Sequence, residues 1–186
     1  MIPAATITTE RLQLRRPTEA DAPAIAAAAN DERIARMTLR LPYPYTIDDA
    51  RKWIAMVADG LATGNACMAL ITLREGGAVA GAVGLEINTD HQRAELGYWI
   101  AREHRNQGYA TEASVALVRH GFSTLGLRRV HSCHYAANPE SGRVILKTGL
   151  KPEGVQRGHA LRMGAVHDVV QYGVLRDEWL AAFGAG

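Results

Sequence analysis

Cysteine is nearly absent: the 186 residues hold two, Cys67 and Cys133, too few for the disulfide framework of a small secreted domain. Both fall in apolar, strand-like segments, so two buried free thiols are expected, a single bridge being the alternative; neither is read as a nucleophile. Long apolar runs are missing too. The longest, Ala22 to Ala29, falls far short of the ~20 residues needed to cross a bilayer, and the first residues lack a basic segment followed by an apolar one. The expectation is a cytoplasmic chain with no membrane partner. Charge of one sign is scarce, with a formal net charge of +2 and arginines spread along the chain without a dense cluster. That argues against nucleic acid as a partner and leaves room for a local anion site served by a few arginines. No internal repeat, low-complexity tract or interdomain linker interrupts the sequence, so residues 1–186 read as one domain. No Gly-x-Ser-x-Gly elbow supports a hydrolase. The pair His131 and His134 lies on an expected strand, where positions three apart face opposite sides, so no metal is expected.

What is present is ordinary in amount, 47% hydrophobic and 22% charged, and telling in arrangement. The stretch Ala94 to Thr111 runs from an apolar segment, Leu96 to Ala101, through a polar turn, Arg102 to Gly108, straight into an amphipathic helix. A helix that starts on such a turn leaves backbone N–H groups unpaired, and with the helix dipole they attract an anion such as a phosphate. Gly108 removes a side chain where a phosphate needs close approach, Ala110 stays small, and Arg102 and Arg105 add positive charge. The spacing fits neither a P-loop nor the three-glycine dinucleotide fingerprint.

Around this stretch the remaining elements fall in order. Thr6 to Arg15 alternates as a first strand, and Thr18 caps a helix through Ala22 to Ala29 with Asp21 as its acidic partner. Asn30 to Tyr45 reads as an irregular loop carrying Leu39, Leu41, Tyr43 and Tyr45, either a ligand-facing loop or a cover on the core. Thr46 caps a long helix whose Trp53, Ile54 and Val57 point to the core. Asn65 to Leu73, Ala78 to Ile87 and the strand entering the polar turn form an antiparallel meander. The helix after the turn buries Val115, Val118, Phe122 and Leu125, with Glu112, Arg119 and Ser123 opposite. Leu127 to Tyr135 then returns as a strand parallel to the one before the turn. Asn138 caps a helix with Pro139 in its first turn. Leu150 to Gln156, a connecting loop Gly158 to Gly164, Val166 to Leu175 and a tail helix through Trp179 complete the chain.

The spacing Arg105-x-x-Gly108-x-Ala110 resembles the coenzyme A signature of the GNAT superfamily of N-acetyltransferases. Further phrases, Ala94-Glu-Leu-Gly-Tyr-Trp-Ile, Asn138-Pro-Glu-Ser, Lys147-Thr-Gly-Leu, Glu153-Gly and Asp168-Val-Val-Gln-Tyr-Gly-Val-Leu, are similar to its RimJ/RimL-like branch, which includes ribosomal-protein alanine N-acetyltransferases. Together they cover most of residues 6 to 176. The resemblance implies a mixed α/β (α+β) GNAT fold: a mostly antiparallel sheet of about six to seven strands, a parallel pair splayed at the acetyl-CoA site, and about four helices. It implies direct acetyl transfer from acetyl-CoA, as co-substrate, to a primary amine on a protein N-terminus or small molecule; a homodimer is compatible with it. The backbone of Tyr98, Trp99 and Ile100 would pair with the pantetheine arm. Arg105, Asn106, Gln107, Gly108, Tyr109, Ala110 and Thr111 would cradle the pyrophosphate, and Asn138 would contact the pantetheine from the other side.

Because a thioester is already activated, few catalytic side chains are needed. Glu95 is the candidate base, or else a structural carboxylate paired with an arginine. Ser141 is the candidate acid for the departing thiolate, or else a residue stabilising its helix start. The loop Gly158 to Gly164 lacks the acidic residue some relatives carry there, and His159 could substitute as base or simply be solvated. Another class of function, a non-catalytic acyl-CoA sensor on the same fold, would bind coenzyme without turnover. The acceptor loops, Leu39 to Tyr45 and Gly158 to Gly164, do not specify the amine.

Overall fold

The computed structural model describes residues 6–184; residues 1–5 and 185–186 of the expected single domain lie outside it. Its strands are β1 (Ile7–Thr8), β2 (Leu12–Arg15), β3 (Ala66–Leu73), β4 (Val79–Asn88), β5 (Arg93–Ile100), β6 (Arg129–Tyr135), β7 (Lys151–Arg162) and β8 (Ala165–Leu175). Its helices are α1 (Ala22–Ala29), α2 (Glu32–Met37), α3 (Ile47–Thr63), α4 (Tyr109–Ser123), α5 (Pro139–Lys147) and α6 (Arg176–Phe183). The strands make one sheet in the order β1-β2-β3-β4-β5-β6-β8-β7. Every neighbouring pair is antiparallel except β5–β6, which is parallel. The expected fold class is therefore found, with eight described strands where six or seven were expected.

The alternation of side chains along the strands gives the sheet two distinct faces. On one, Cys67, Ile71, Leu85 and Leu96 join Leu117, Val118 and Phe122 of α4 in the larger core cluster, closed by Trp179 of α6. On the other, Leu70 meets Ile25 of α1, Ile54 of α3 and Tyr45. Trp53, expected in the core, is only half-buried and reaches the central cleft.

Three local readings are corrected. The first strand is two, because Thr9 and Leu12 close a turn: the Thr9 Oγ1 accepts from Leu12 N (3.1 Å). The irregular stretch after Asn30 contains α2, whose first turn is capped by Asp31 accepting from the amides of Arg33 (2.7 Å) and Ile34 (3.4 Å). The expected loop Gly158 to Gly164 is mostly strand. Ala160, Leu161 and Arg162 pair with His167, Val166 and Ala165, and an irregularity between Gln156 and Ala160 absorbs the intervening residues.

Candidate active site

The central feature is a fork in the sheet. The parallel pairing of β5 with β6 covers only Arg93–Glu95 against Arg129–His131. At the crotch, Ser132 Oγ donates to Leu96 O at 2.8 Å; past it, β6 stays with β8 while Tyr98 to Ile100 keep partners only on β4. One edge of Tyr98 to Ile100 thus has no strand partner among the described residues, and this is where the pantetheine arm is expected. A cleft of about 1400 Å³ opens there, and every expected site residue except Gln107 lines it.

At one mouth lies the turn before α4. Gly108 has φ of 83° and Asn106 of 62°, so successive amides turn toward one side, a backbone arrangement suited to anions. None of the backbone N–H groups from Asn106 to Thr111 has an acceptor among the described residues. Arg11, which the sequence reading missed, shapes this turn from β2's approach: its Nη1 donates to Gln107 O (2.9 Å) and its Nε to Glu112 (2.7 Å). Gln107 itself points back, donating from Nε2 to Glu103 O (3.1 Å). The Arg105 guanidinium is engaged as well, with Asp31 (2.8 Å) and Ile100 O (3.3 Å). Its backbone N–H is taken too, by Arg102 O at 3.5 Å, so the acceptor-less amides begin at Asn106.

Across the fork, α5 brings Ser141 to within 2.7 Å of the Tyr98 phenol oxygen, and the phenol also donates to Ser141 O at 3.0 Å. Gly142 permits this approach, since a Cβ there would press on the His134 ring. Asn138 stands at the N-cap position, yet its side chain makes no capping hydrogen bond. The side-chain capping expectation fails, and the residue lines the cleft.

On the opposite face of the sheet, Glu86, Glu95 and His131 form a cross-strand row. Glu86 is paired with Arg40, whereas Glu95 makes no ion pair among the described residues, contrary to the structural alternative of an arginine partner. Its neighbour is Cys133, whose thiol donates to Glu95 Oε1 at 3.7 Å. Cys133 is free but only half-buried, which corrects the expectation of two buried thiols. Burial, then the Glu95 charge, pushes that thiol up to about 11, so it is protonated near neutrality. Burial lowers the His131 pKa against the opposing pull of Glu95. His159, on β7, is exposed and lines the same cleft.

A family model described as an acetyltransferase (GNAT) domain matches residues 11–151. Among curated relatives, the uncharacterized N-acetyltransferase YoaA of Bacillus subtilis (strain 168) is 32% identical over 169 residues, 90% of this chain and 95% of its own length. The ribosomal-protein-serine acetyltransferase of Escherichia coli (strain K12) is 34% identical over 88 residues, 47% of this chain and 49% of its own. A solved structure of the ribosomal alpha-N-protein acetyltransferase RimL in complex with coenzyme A shares the fold, with a TM-score of 0.86 at 23% identity, over 94% of this chain and 99% of that one.

Proposed function

Because this chain belongs to the GNAT acetyltransferases and transfers acetyl from acetyl-CoA to an amine, we propose that the coenzyme enters on the Ser141 side of the fork and the amine on the Glu95 side. The observation that carries this reading is the fork itself, an open strand edge between acceptor-less amides and an unpaired carboxylate. The amides of Asn106 to Thr111 hold the pyrophosphate, with the α4 dipole behind them. The open edge of Tyr98, Trp99 and Ile100 pairs with the pantetheine amides, and Asn138 meets them from the other wall.

The thioester then lies between Glu95 and Ser141. Glu95 takes a proton from the acceptor ammonium, directly or through one water, and the freed amine attacks the acyl carbon. The new C–N bond forms as the C–S bond breaks, and the sulfur leaves with a proton passed through Ser141, which Tyr98 holds in place. The other proton of the attacking nitrogen restores the Ser141 hydroxyl by way of solvent, and Glu95 returns its own proton to solvent. The acceptor is a primary amine, a protein N-terminus or a small molecule; the partial match to a ribosomal-protein-serine acetyltransferase makes an N-terminal-serine peptide the first to try.

The test is release of coenzyme A thiol from acetyl-CoA with N-terminal-serine and N-terminal-alanine peptides, amino acids, polyamines and aminoglycosides, beside calorimetric binding of acetyl-CoA. Amine-dependent release is expected, and Glu95→Gln should lower kcat by roughly 10²–10⁴-fold, the usual worth of a general base, with acetyl-CoA binding unchanged. Full turnover in Glu95→Gln would remove the base assignment. Binding without release across the panel would favour a coenzyme sensor.

A further inference from the structure

Arg105 opens the anion-loop signature, yet its guanidinium is turned away from the loop amides and committed elsewhere. Nη2 donates to Asp31 Oδ2 at 2.8 Å and Nε to Ile100 O at 3.3 Å. The two side chains are 24% and 17% exposed, which sets the pair apart from the freely solvated ion pairs that contribute little. Asp31 serves two elements at once. While Oδ2 receives Arg105, Oδ1 caps α2 through the amides of Arg33 and Ile34.

That helix has six residues, of which only Ile34 and Ala35 are buried, and a helix this short has no stability of its own. It is held from outside. Arg33 pairs with Glu140 of α5 at 3.2 Å, and Arg162, at the tip of the β7–β8 hairpin, donates to Ala35 O (2.9 Å) and to Leu41 O. The segment from Asp31 to Leu41 therefore bridges the fork, fastened to the anion turn, to the Ser141 helix and to the hairpin. Ile34, Met37, Leu39 and Leu41 line the cleft beneath.

We propose that the Asp31–Arg105 pair is a positioning contact through which the coenzyme turn sets the placement of α2 and the following segment as one wall of the acceptor site. Phosphate seated on the amides of the turn fixes the backbone that carries Arg105. Arg105 then fixes Asp31, and Asp31 holds the first turn of α2. The acceptor meets a completed wall when coenzyme is already in place. Because coupling between two sites is reciprocal, acceptor also tightens coenzyme. This rests on the reading that the turn holds the pyrophosphate.

The test uses the full chain and coenzyme A, with hydrogen exchange followed on residues 32–41. Coenzyme A should slow exchange there about tenfold in the wild type, equivalent to about 1.4 kcal/mol. In Asp31→Asn, where asparagine keeps the cap, and in Arg105→Gln, that protection should disappear, while calorimetric affinity for coenzyme A stays within about threefold. With an N-terminal-serine peptide or whichever amine turns over, KM for the amine should rise about tenfold in each variant, kcat should change little, and the double variant should be no worse than either single one. A tenfold loss of coenzyme affinity in Arg105→Gln alone would make Arg105 a phosphate ligand and overturn the proposal, as would undiminished protection in Asp31→Asn. Failure of the wild type to bind coenzyme A would overturn it together with the reading of the turn, whereas binding with no coupling would overturn it alone.

Discussion

The Tyr98 phenol stays protonated through neutral pH because burial pushes its pKa above the ordinary 10. Its proton has two destinations, the carbonyl and the hydroxyl of Ser141. When it goes to the hydroxyl, Ser141 keeps its own proton free for the proposed transfer to sulfur; when it goes to the carbonyl, Ser141 donates back to Tyr98. Both arrangements make the phenol the partner that fixes Ser141. Tyr98→Phe keeps the ring and its packing, so thermal stability and acetyl-CoA affinity should hold while kcat falls roughly tenfold, about one hydrogen bond's worth. An unchanged kcat would free Ser141 from this dependence. That Glu95 and Ser141 line the cleft was legible because they sit inside local phrases of the chain. Arg11 and Asp31 were not, since their partners lie at Glu112 and Arg105, separations that only the folded sheet closes.

At the scale of elements, the entry to α1 shows how charge fastens a short segment. Asp21 accepts from both terminal nitrogens of Arg15 and from the Thr18 amide and hydroxyl. The Arg15 hydrogen bonds, opposed by burial and aided by Thr18, bring its pKa from an ordinary 3.8 to about 2. A carboxylate lowered in the folded state stabilises the fold above its unfolded pKa, and that contribution is lost as pH falls from about 4 through about 2. Asp21→Asn should cost on the order of 1–2 kcal/mol at pH 7, with the gap to wild type closing across that window in urea melts at stepped pH; a gap independent of pH would assign the effect to packing. The long, strongly patterned elements, α3, α4 and the β3–β4–β5 meander, were legible in the sequence because cap, periodicity and turn chemistry agree there. What escaped was short or held by distant partners. Six-residue α2 depends on Arg105, Glu140 and Arg162, and the far half of β7 pairs across a bulge that breaks the alternation a strand announces itself by.

For the whole molecule, the parallel pair is what converts a meander into a binding protein. Each half of the sheet is paired within itself, β1 to β5 on one side and β6, β8 and β7 on the other, and among the described residues the strands of the two halves pair only at Arg93–Glu95, extended by one bond from Arg128 N to Gln92 O at 2.8 Å. A ligand lying in the fork touches both halves and adds to their union, so coenzyme binding should register as global stability. At a hundredfold excess over Kd the gain is about 2.7 kcal/mol, or roughly 5–10 °C in Tm for a chain of this size. Gly108→Ala provides the control. Its φ of 83° is strained for any side chain by about 1–2 kcal/mol, and the added Cβ would stand 3.4 Å from Arg11 Nη2, beside the amides proposed to hold the phosphate. That variant should melt a few degrees lower without ligand and lose most of the shift when coenzyme A is added, as read by thermal scans at matched concentrations. A Gly108→Ala chain that kept the full shift would move the phosphate site away from this turn.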